Sequence, residues 1–303
     1  PTMGGILILI SIIVSTLLWA DLTNQFVIKG LFVLVWLGFL GGVDDWLKLT
    51  KATRTRSRDG LMSWEKIMYQ IGLGTLVGCF LYLVDFKNIE DGQKLWLPFY
   101  KAGFNLHFAG FLVMSIIVIT FTSNAVNLTD GMDGLASGCV SIIALILAVL
   151  CFLASEPLSL TTNQTWASYL RLPQIPGAGE LSIVCMAMLG ACLGFLWFNC
   201  YPAEVFMGDT GSLPLGGFIG YAAIVTRHEL LLVILGGVFV AEALSVIIQV
   251  TYFKHTGGKR VFKCAPIHHH FHLIGWSEPK VVVRFWLACI ACATLALATL
   301  KLR

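Results

Sequence analysis

Charge is what this 303-residue sequence has least of. Only 12% of its residues are Asp, Glu, Lys or Arg, against 57% hydrophobic. A soluble domain of this length needs a charged surface that so few ionisable groups cannot supply. The formal net charge of +3 is too small to leave a footprint for nucleic acid. Alternation of polar and apolar residues is also missing from the long apolar runs, which argues against a membrane β-barrel. No basic n-region precedes the first apolar run, so the start does not read as a signal peptide. The chain opens at Pro1 rather than Met, and its true N-terminus is expected to lie upstream. No internal repeat is visible, which weakens a transporter built from paired halves.

The cysteines carry little chemistry. Cys289 and Cys292 form a C-x-x-C spacing, but they read best as two small apolar residues one turn apart in a membrane helix. Nothing argues for disulfides. Neither an HExxH pattern nor spaced Cys pairs accompany the histidines, so zinc is not expected.

What is present is hydrophobic length. The mean hydropathy is +0.82, and windows of ~20 apolar residues give about nine candidate spans. They fall near 3–20, 27–43, 67–84, 108–123, 135–154, 181–198, 213–226, 230–253 and 281–300. The span at 213–226 is short and is expected to be tilted or broken. The expected fold is an all-α polytopic transmembrane helix bundle, one integral membrane domain over 1–303 with no separate soluble domain. Loop 44–66 carries Lys48, Lys51, Arg54, Arg56, Arg58 and Lys66; loop 254–280 carries Lys254, Lys259, Arg260, Lys263 and Lys280. The positive-inside bias makes both cytoplasmic. Parity then puts loops 124–134 and 199–212 on the same side. On the other side, 85–106 is expected to form a small hairpin and 155–180 a surface loop.

The acidic islands therefore converge on one face. Asn124 to Gly134 reads Asn-Ala-Val-Asn-Leu-Thr-Asp-Gly-Met-Asp-Gly, a polar island between two apolar runs. Carboxylates so close to a bilayer are costly and usually functional. Asp130 and Asp133 lie three apart, at the aqueous start of the next helix, where Thr129 or Asp130 also suits an N-cap. Asn124 and Asn127 add neutral oxygens. Asp44-Asp45 either stops a helix at the headgroups or serves Mg²⁺ binding or base catalysis. In Phe206 to Ser212, Gly208 and Gly211 permit close approach to a phosphate, and Asp209 between them suits Mg²⁺. Four His in His268 to His272 suit anion or sugar recognition, with a solvated loop as the alternative. Glu242 and Gln249 share a face of the 230–253 span. Gln249 lies near the cytoplasmic end and within reach of the site, whereas Glu242 lies deeper and is read as structural. Together these parts suit Mg²⁺-dependent phosphoryl chemistry between a soluble nucleotide compound and a lipid phosphate, because two anions need a cation between them.

The motifs Pro1-Thr-Met-Gly-Gly5, Val43-Asp-Asp45, Asn124 to Gly134, Phe206 to Ser212 and Ala265 to His270 resemble the phospho-N-acetylmuramoyl-pentapeptide-transferase family over the whole chain. The resemblance implies transfer of phospho-MurNAc-pentapeptide from UDP to undecaprenyl phosphate, giving lipid I and UMP. It implies that Asp209, with Asn127, binds Mg²⁺, and that Asp44, beside Asp45, activates the lipid phosphate. It implies that Asn127, Asp130, Asn199, Phe206 and Gln249 line the uridine-diphosphate side. Asp133, Gly208, Ser212 and Ala265 join the substrate site through the same motifs. His268 and His269 would contact substrate near its sugar and phosphate, with His268 catalytic. The family has ten spans, and the one missing here is expected upstream. The implied setting is the bacterial inner membrane with the site facing the cytoplasm; a homodimer is a further expectation. Direct attack by the lipid phosphate is favoured over a phospho-aspartate. The alternatives are a polyprenyl-phosphate GlcNAc-1-phosphate transferase and a secondary transporter.

Overall fold

The computed structural model describes residues 3–55, 60–100, 102–155, 167, 170 and 172–301. Pro1 and Thr2 of the first motif, Arg56, Arg58, Lys101, Arg171, Arg303 and most of the 155–180 loop lie outside the described residues. So do the side chains of Lys51, Arg54 and Lys301.

The described chain is helical apart from one small hairpin. The helices are α1 (Gly5–Trp19), α2 (Gln25–Thr55), α3 (Ser63–Phe80), α4 (Phe108–Thr129), α5 (Leu135–Ser155), α6 (Leu181–Asn199), α7 (Asp209–Val225), α8 (Glu229–Leu235), α9 (Gly237–His255), α10 (Ile267–Leu273) and α11 (Glu278–Lys301). Among the described residues, seven segments are long and apolar enough to cross a membrane: those of α2, α3, α4, α5, α6, α9 and α11. α1 and α7, at 15 and 17 residues, are shorter than a full bilayer crossing needs. The protein is thus an all-α, multi-pass membrane protein. The expected hairpin is present: β1 (Lys94–Leu95) pairs antiparallel with β2 (Phe104–Asn105).

α7 is the axis of the bundle. Every one of its residues is buried, and α2 and α4 pack along it. Its sequence, rich in Gly and Ala, explains the fit. Lipid supplies no hydrophobic drive between helices, so tight backbone packing through small residues must hold them together. α7 is unbroken over 209–225; the expected break there lies instead at Gly236, which divides the 230–253 span into α8 and α9.

The element boundaries differ from the sequence expectation where polar residues were read as loop. Asp44 and Asp45 do not stop a helix, since α2 runs on to Thr55. No Gly or Pro interrupts 43–55, so nothing breaks the backbone ladder there. Asn124 and Asn127 likewise lie in the last turns of α4, and α7 begins at Asp209 itself.

At the end of the bundle away from these acids, Arg227 and Glu229 form a fully buried ion pair of 2.6 Å. Arg227 Nε also donates to the Lys94 carbonyl of the hairpin (2.9 Å), and its guanidinium lies 4.6 Å over the Phe111 ring. Removing one partner of such a pair strands the other charge at a cost of about 3–5 kcal/mol. Arg227→Ala is therefore expected to lower the thermal unfolding midpoint in detergent by several degrees, and Arg227→Ala with Glu229→Gln to recover part of the loss.

Candidate active site

α2, α3, α4 and α7 bring their acidic, amide and lysine groups to one point. Asp44, Asp45 and Asp209 are buried, and each offers a carboxylate oxygen within 4.8 Å of the other two. Like charges at that distance repel by roughly 3 kcal/mol per pair at an effective dielectric of about 20. Two lysines offset this. Lys66 Nζ bridges Asp44 Oδ2 (2.9 Å) and Asp209 Oδ2 (2.6 Å). Lys48 Nζ meets Asp44 Oδ2 at 2.6 Å, Asp209 Oδ1 at 3.3 Å and Asp45 Oδ1 at 3.8 Å. The Leu61 N–H donates to Asp44 Oδ1 (2.6 Å).

The three acids are not equivalent. Asp45 Oδ2 accepts from the Thr210 N–H (2.9 Å) and hydroxyl (2.7 Å), and Oδ1 from the Asp209 N–H (3.3 Å). Asp45 thus caps the N-terminus of α7 from another helix, an anchor favoured by both the free N–H groups and the helix dipole. Its work is to hold Asp209 in place. Gly208, with φ +73°, makes the approach possible, since a Cβ there would press on the Asp45 carboxylate at 2.7 Å. Asp209 Oδ1 accepts from Asn127 Nδ2 (2.9 Å), which also donates to Ser212 Oγ (2.9 Å). Asn127 could offer its oxygen to a cation only by turning its amide over.

Beside this cluster lies a polar cavity of about 280 Å³ lined by Asn127, Asp130, Gly131, Asp133, Asn199, Phe206, Gly208 and Asp209 among others. Asp133 and Asn199 fix its walls. Asp133 Oδ2 accepts the Ala203 N–H (2.9 Å). Asn199 takes hydrogen bonds from the Gly134 N–H (3.1 Å) and Ser137 (3.2 Å) and donates to the Val205 carbonyl (2.8 Å). Phe206 is exposed at the rim. Asp130 is half-buried on the wall, where its depth and the Asp209 and Asp45 carboxylates push its carboxyl up to about 8 against a Gly208 N–H bond.

The His loop folds as α10 and turns one ring into this site. His268 is fully buried. A Cβ on Gly131 would collide with its Nε2, so the ring packs directly on the cavity wall. The His269 ring lies 4.1 Å from it, and burial and His268 hold the His269 imidazole below its usual range. Asp44, Asp130 and Asp209 therefore meet at one site, and His268 packs against its Gly131 wall. Gln249 and Ala265 do not join it directly. They line a separate recess of about 290 Å³ with Lys254 and Arg260. Gln249 Oε1 accepts the Val261 and Phe262 N–H groups (3.2 and 2.9 Å), tying the following loop to α9.

Sequence reasoning read Lys48 and Lys66 only as inward-biasing charge. The signal for Lys48 was its spacing, four residues after Asp44 on a continuing helix; for Lys66 there was none. It also read Glu242 as structural, yet Glu242 Oε2 lies 3.1 Å from His268 Nδ1. An intramembrane carboxylate is a functional candidate by default.

Two outcomes are expected. Gly208→Ala, forced into a left-handed backbone and against Asp45, should destabilise the protein by about 1–3 kcal/mol, read as a lower unfolding midpoint. In the metal-free protein, infrared difference spectra should show a protonated carboxyl that ionises near pH 8 and is absent from Asp130→Asn. The folded state keeps a proton that the unfolded chain releases near pH 4. This site's contribution to stability is therefore full below that pH and is lost as pH rises through about 8.

Comparison with known proteins identifies the family. The sequence profile of glycosyl transferase family 4 matches residues 27–227. The chain is 48% identical over 305 residues to phospho-N-acetylmuramoyl-pentapeptide-transferase of Thermodesulfovibrio yellowstonii, covering all of this chain and 80% of that protein. It is 50% identical over 304 residues to the protein of that name from Citrifermentans bemidjiense, and 49% over 303 to that from Desulfotalea psychrophila, with the same coverage. The motifs that converge on the acid cluster and the likeness that runs the length of the chain lead to one conclusion: the chain belongs to the phospho-N-acetylmuramoyl-pentapeptide-transferase family.

Proposed function

We propose that this protein transfers phospho-MurNAc-pentapeptide from UDP-MurNAc-pentapeptide to undecaprenyl phosphate, releasing UMP and forming lipid I. The reaction takes place at the cytoplasmic face of a bacterial inner membrane. Residues 1–303 act as one membrane domain whose segments 44–66, 124–134, 199–212 and 254–280 supply the site. The observation that carries this reading is the abutment of a buried carboxylate–lysine cluster on a polar cavity, at the end of an apolar bundle.

The donor set fits a hard divalent cation. Its carboxylate oxygens are close enough to share one ion once Lys48 and Lys66 turn to other partners. Asp209 and Asn127, with Asp44 beside them, would hold Mg²⁺. The ion would supply charge neutralisation for the diphosphate and the leaving UMP.

The protein's own groups do the rest. The ring of Phe206 stacks on uracil at the cavity rim. Asp130 and the Asn127 amide hydrogen-bond the nucleotide side. Lys48 and Lys66 exchange carboxylate for phosphate partners as the reactants arrive, which frees Asp44 to take a proton from the lipid phosphate. That oxygen attacks the sugar-side phosphorus, and the bridging oxygen leaves with UMP. His268, at the Gly131 wall, meets the sugar and phosphate. The lipid chain has a place nearby. An apolar groove of about 160 Å³ between α4, α8 and α9 is lined by Met114, Val118, Thr122, Ala125, Leu232 and Phe239 among others. Its lining reaches Ala125, two residues before Asn127 on α4.

UMP release is expected to require Mg²⁺. Asp44→Asn, Asp209→Asn and His268→Ala are each expected to lower it by roughly a hundredfold or more while the protein still inserts. Near-normal turnover in all three would place the chemistry elsewhere. A labelled phospho-aspartate trapped with the UDP substrate alone would overturn direct attack.

A further inference from the structure

Glu242 is the one acid of α9, and it lies where a charge is costly. It is fully buried within a membrane-length helix. A carboxylate in that position needs a partner. It has one, the Nδ1 of His268, at 3.1 Å. Its other oxygen, Oε1, has no hydrogen-bond partner, and neither has His268 Nε2. The two residues come from different elements, α9 and α10, so the pairing is made by the tertiary fold. The contact has a direction. A carboxylate accepts, so the hydrogen resides on Nδ1. In a neutral ring Nε2 then carries the lone pair; in a cationic ring it carries the second N–H. Either way, that nitrogen is held against Gly131 on the wall of the polar cavity, next to Asp130.

We infer that Glu242 is a positioning residue for the transfer reaction, fixing the tautomer and orientation of His268 so that Nε2 alone is directed at the Gly131 wall of the substrate cavity. The inference rests on the proposed reaction for its kinetic consequence, but not for the tautomer. Without the carboxylate the proton distributes over both ring nitrogens and the ring can turn. A carboxylate behind an imidazole has this effect in other sites, where its loss costs about 10–100-fold in activity or affinity. A purely structural Glu242 would instead act on the packing of α9 against its neighbours, whatever occupies position 268.

The test uses the full-length enzyme in detergent or nanodiscs. Glu242→Gln, Glu242→Ala, His268→Ala and the double variant Glu242→Ala/His268→Ala are compared, with unfolding midpoints recorded for each. Glu242→Ala is expected to lower kcat by about tenfold or more, with KM for the UDP substrate little changed. Glu242→Gln, which can still accept from Nδ1, is expected to recover part of the loss. The double variant is expected to be no slower than His268→Ala. The independent readout is long-range ¹H–¹⁵N NMR of ¹⁵N-histidine-labelled protein without substrate. His268, assigned by its absence in His268→Ala, should show the Nδ1-protonated pattern in the wild type and lose it in Glu242→Ala. The inference is overturned if the losses from Glu242→Ala and His268→Ala multiply in the double variant, or if the His268 tautomer is unaltered by Glu242→Ala. Lack of UMP release by the wild type, with the tautomer shift intact, would count against the proposed reaction and leave the pairing established.

Discussion

Burying negative charge at the membrane edge is the constraint around which this protein is built. Asp44, Asp45 and Asp209 are buried, each with a carboxylate oxygen within 4.8 Å of the other two. Such a cluster persists only if positive groups are supplied to it. The fold supplies them from three sources: the ammonium of Lys48 one turn along the same helix, that of Lys66 from α3, and the N-terminal N–H groups of α7. Each carboxylate has a different share. Asp45 is occupied by the helix end, Asp44 by the two lysines, and Asp209 faces the cavity with Asn127 and the lysines on its oxygens. The cluster attracts cations, and that property suits it to hold a metal ion between anionic reactants.

The rest of the architecture keeps that cluster rigid. α7 is buried along its whole length and runs up the middle of the bundle, so its first residue is presented at a fixed height. Below it, Gln70 donates to Ser123 (3.1 Å), Asn124 donates to Gln70 (2.7 Å), and Ser123 donates to the Leu213 carbonyl (3.0 Å). This buried chain ties α3, α4 and α7 together one or two turns below Lys66, Asn127 and Asp209. In a bilayer, where apolar surface does not drive helices together, such bonds and close backbone contacts hold the register. At the far end, Arg227 and Glu229 lock the hairpin to the bundle, well away from the chemistry.

The site is built from two regions. The polar cavity, with Phe206 on its rim, is made from the ends of helices that are themselves fixed. The His loop is added from the C-terminal part of the chain, beyond residues 27–227 of the family 4 match. It enters the site through a single buried ring, His268, packed on Gly131. Gln249 and Ala265 lie on its other flank in a recess that also holds Lys254 and Arg260.

The amino-acid sequence by itself determined the membrane setting and the all-α class, because hydrophobic length and low charge admit few other structures. It also pointed to one face for the acidic islands, and Asp44, Asp130 and Asp209 do meet at one end of the bundle; of the nine spans expected, seven segments among the described residues are of membrane-crossing length. It could not locate the ends of helices beyond the apolar runs. Asp44-Asp45, Asn124 and Asn127 look like loop residues by hydropathy, yet nothing in their backbone breaks a helix. Nor could it assign partners. Asp45 as a cap for α7, Lys66 between two acids and Glu242 behind His268 join residues 143, 165 or 26 positions apart. Hydrogen bonds over such separations are set by how helices cross, and only packing in three dimensions decides that.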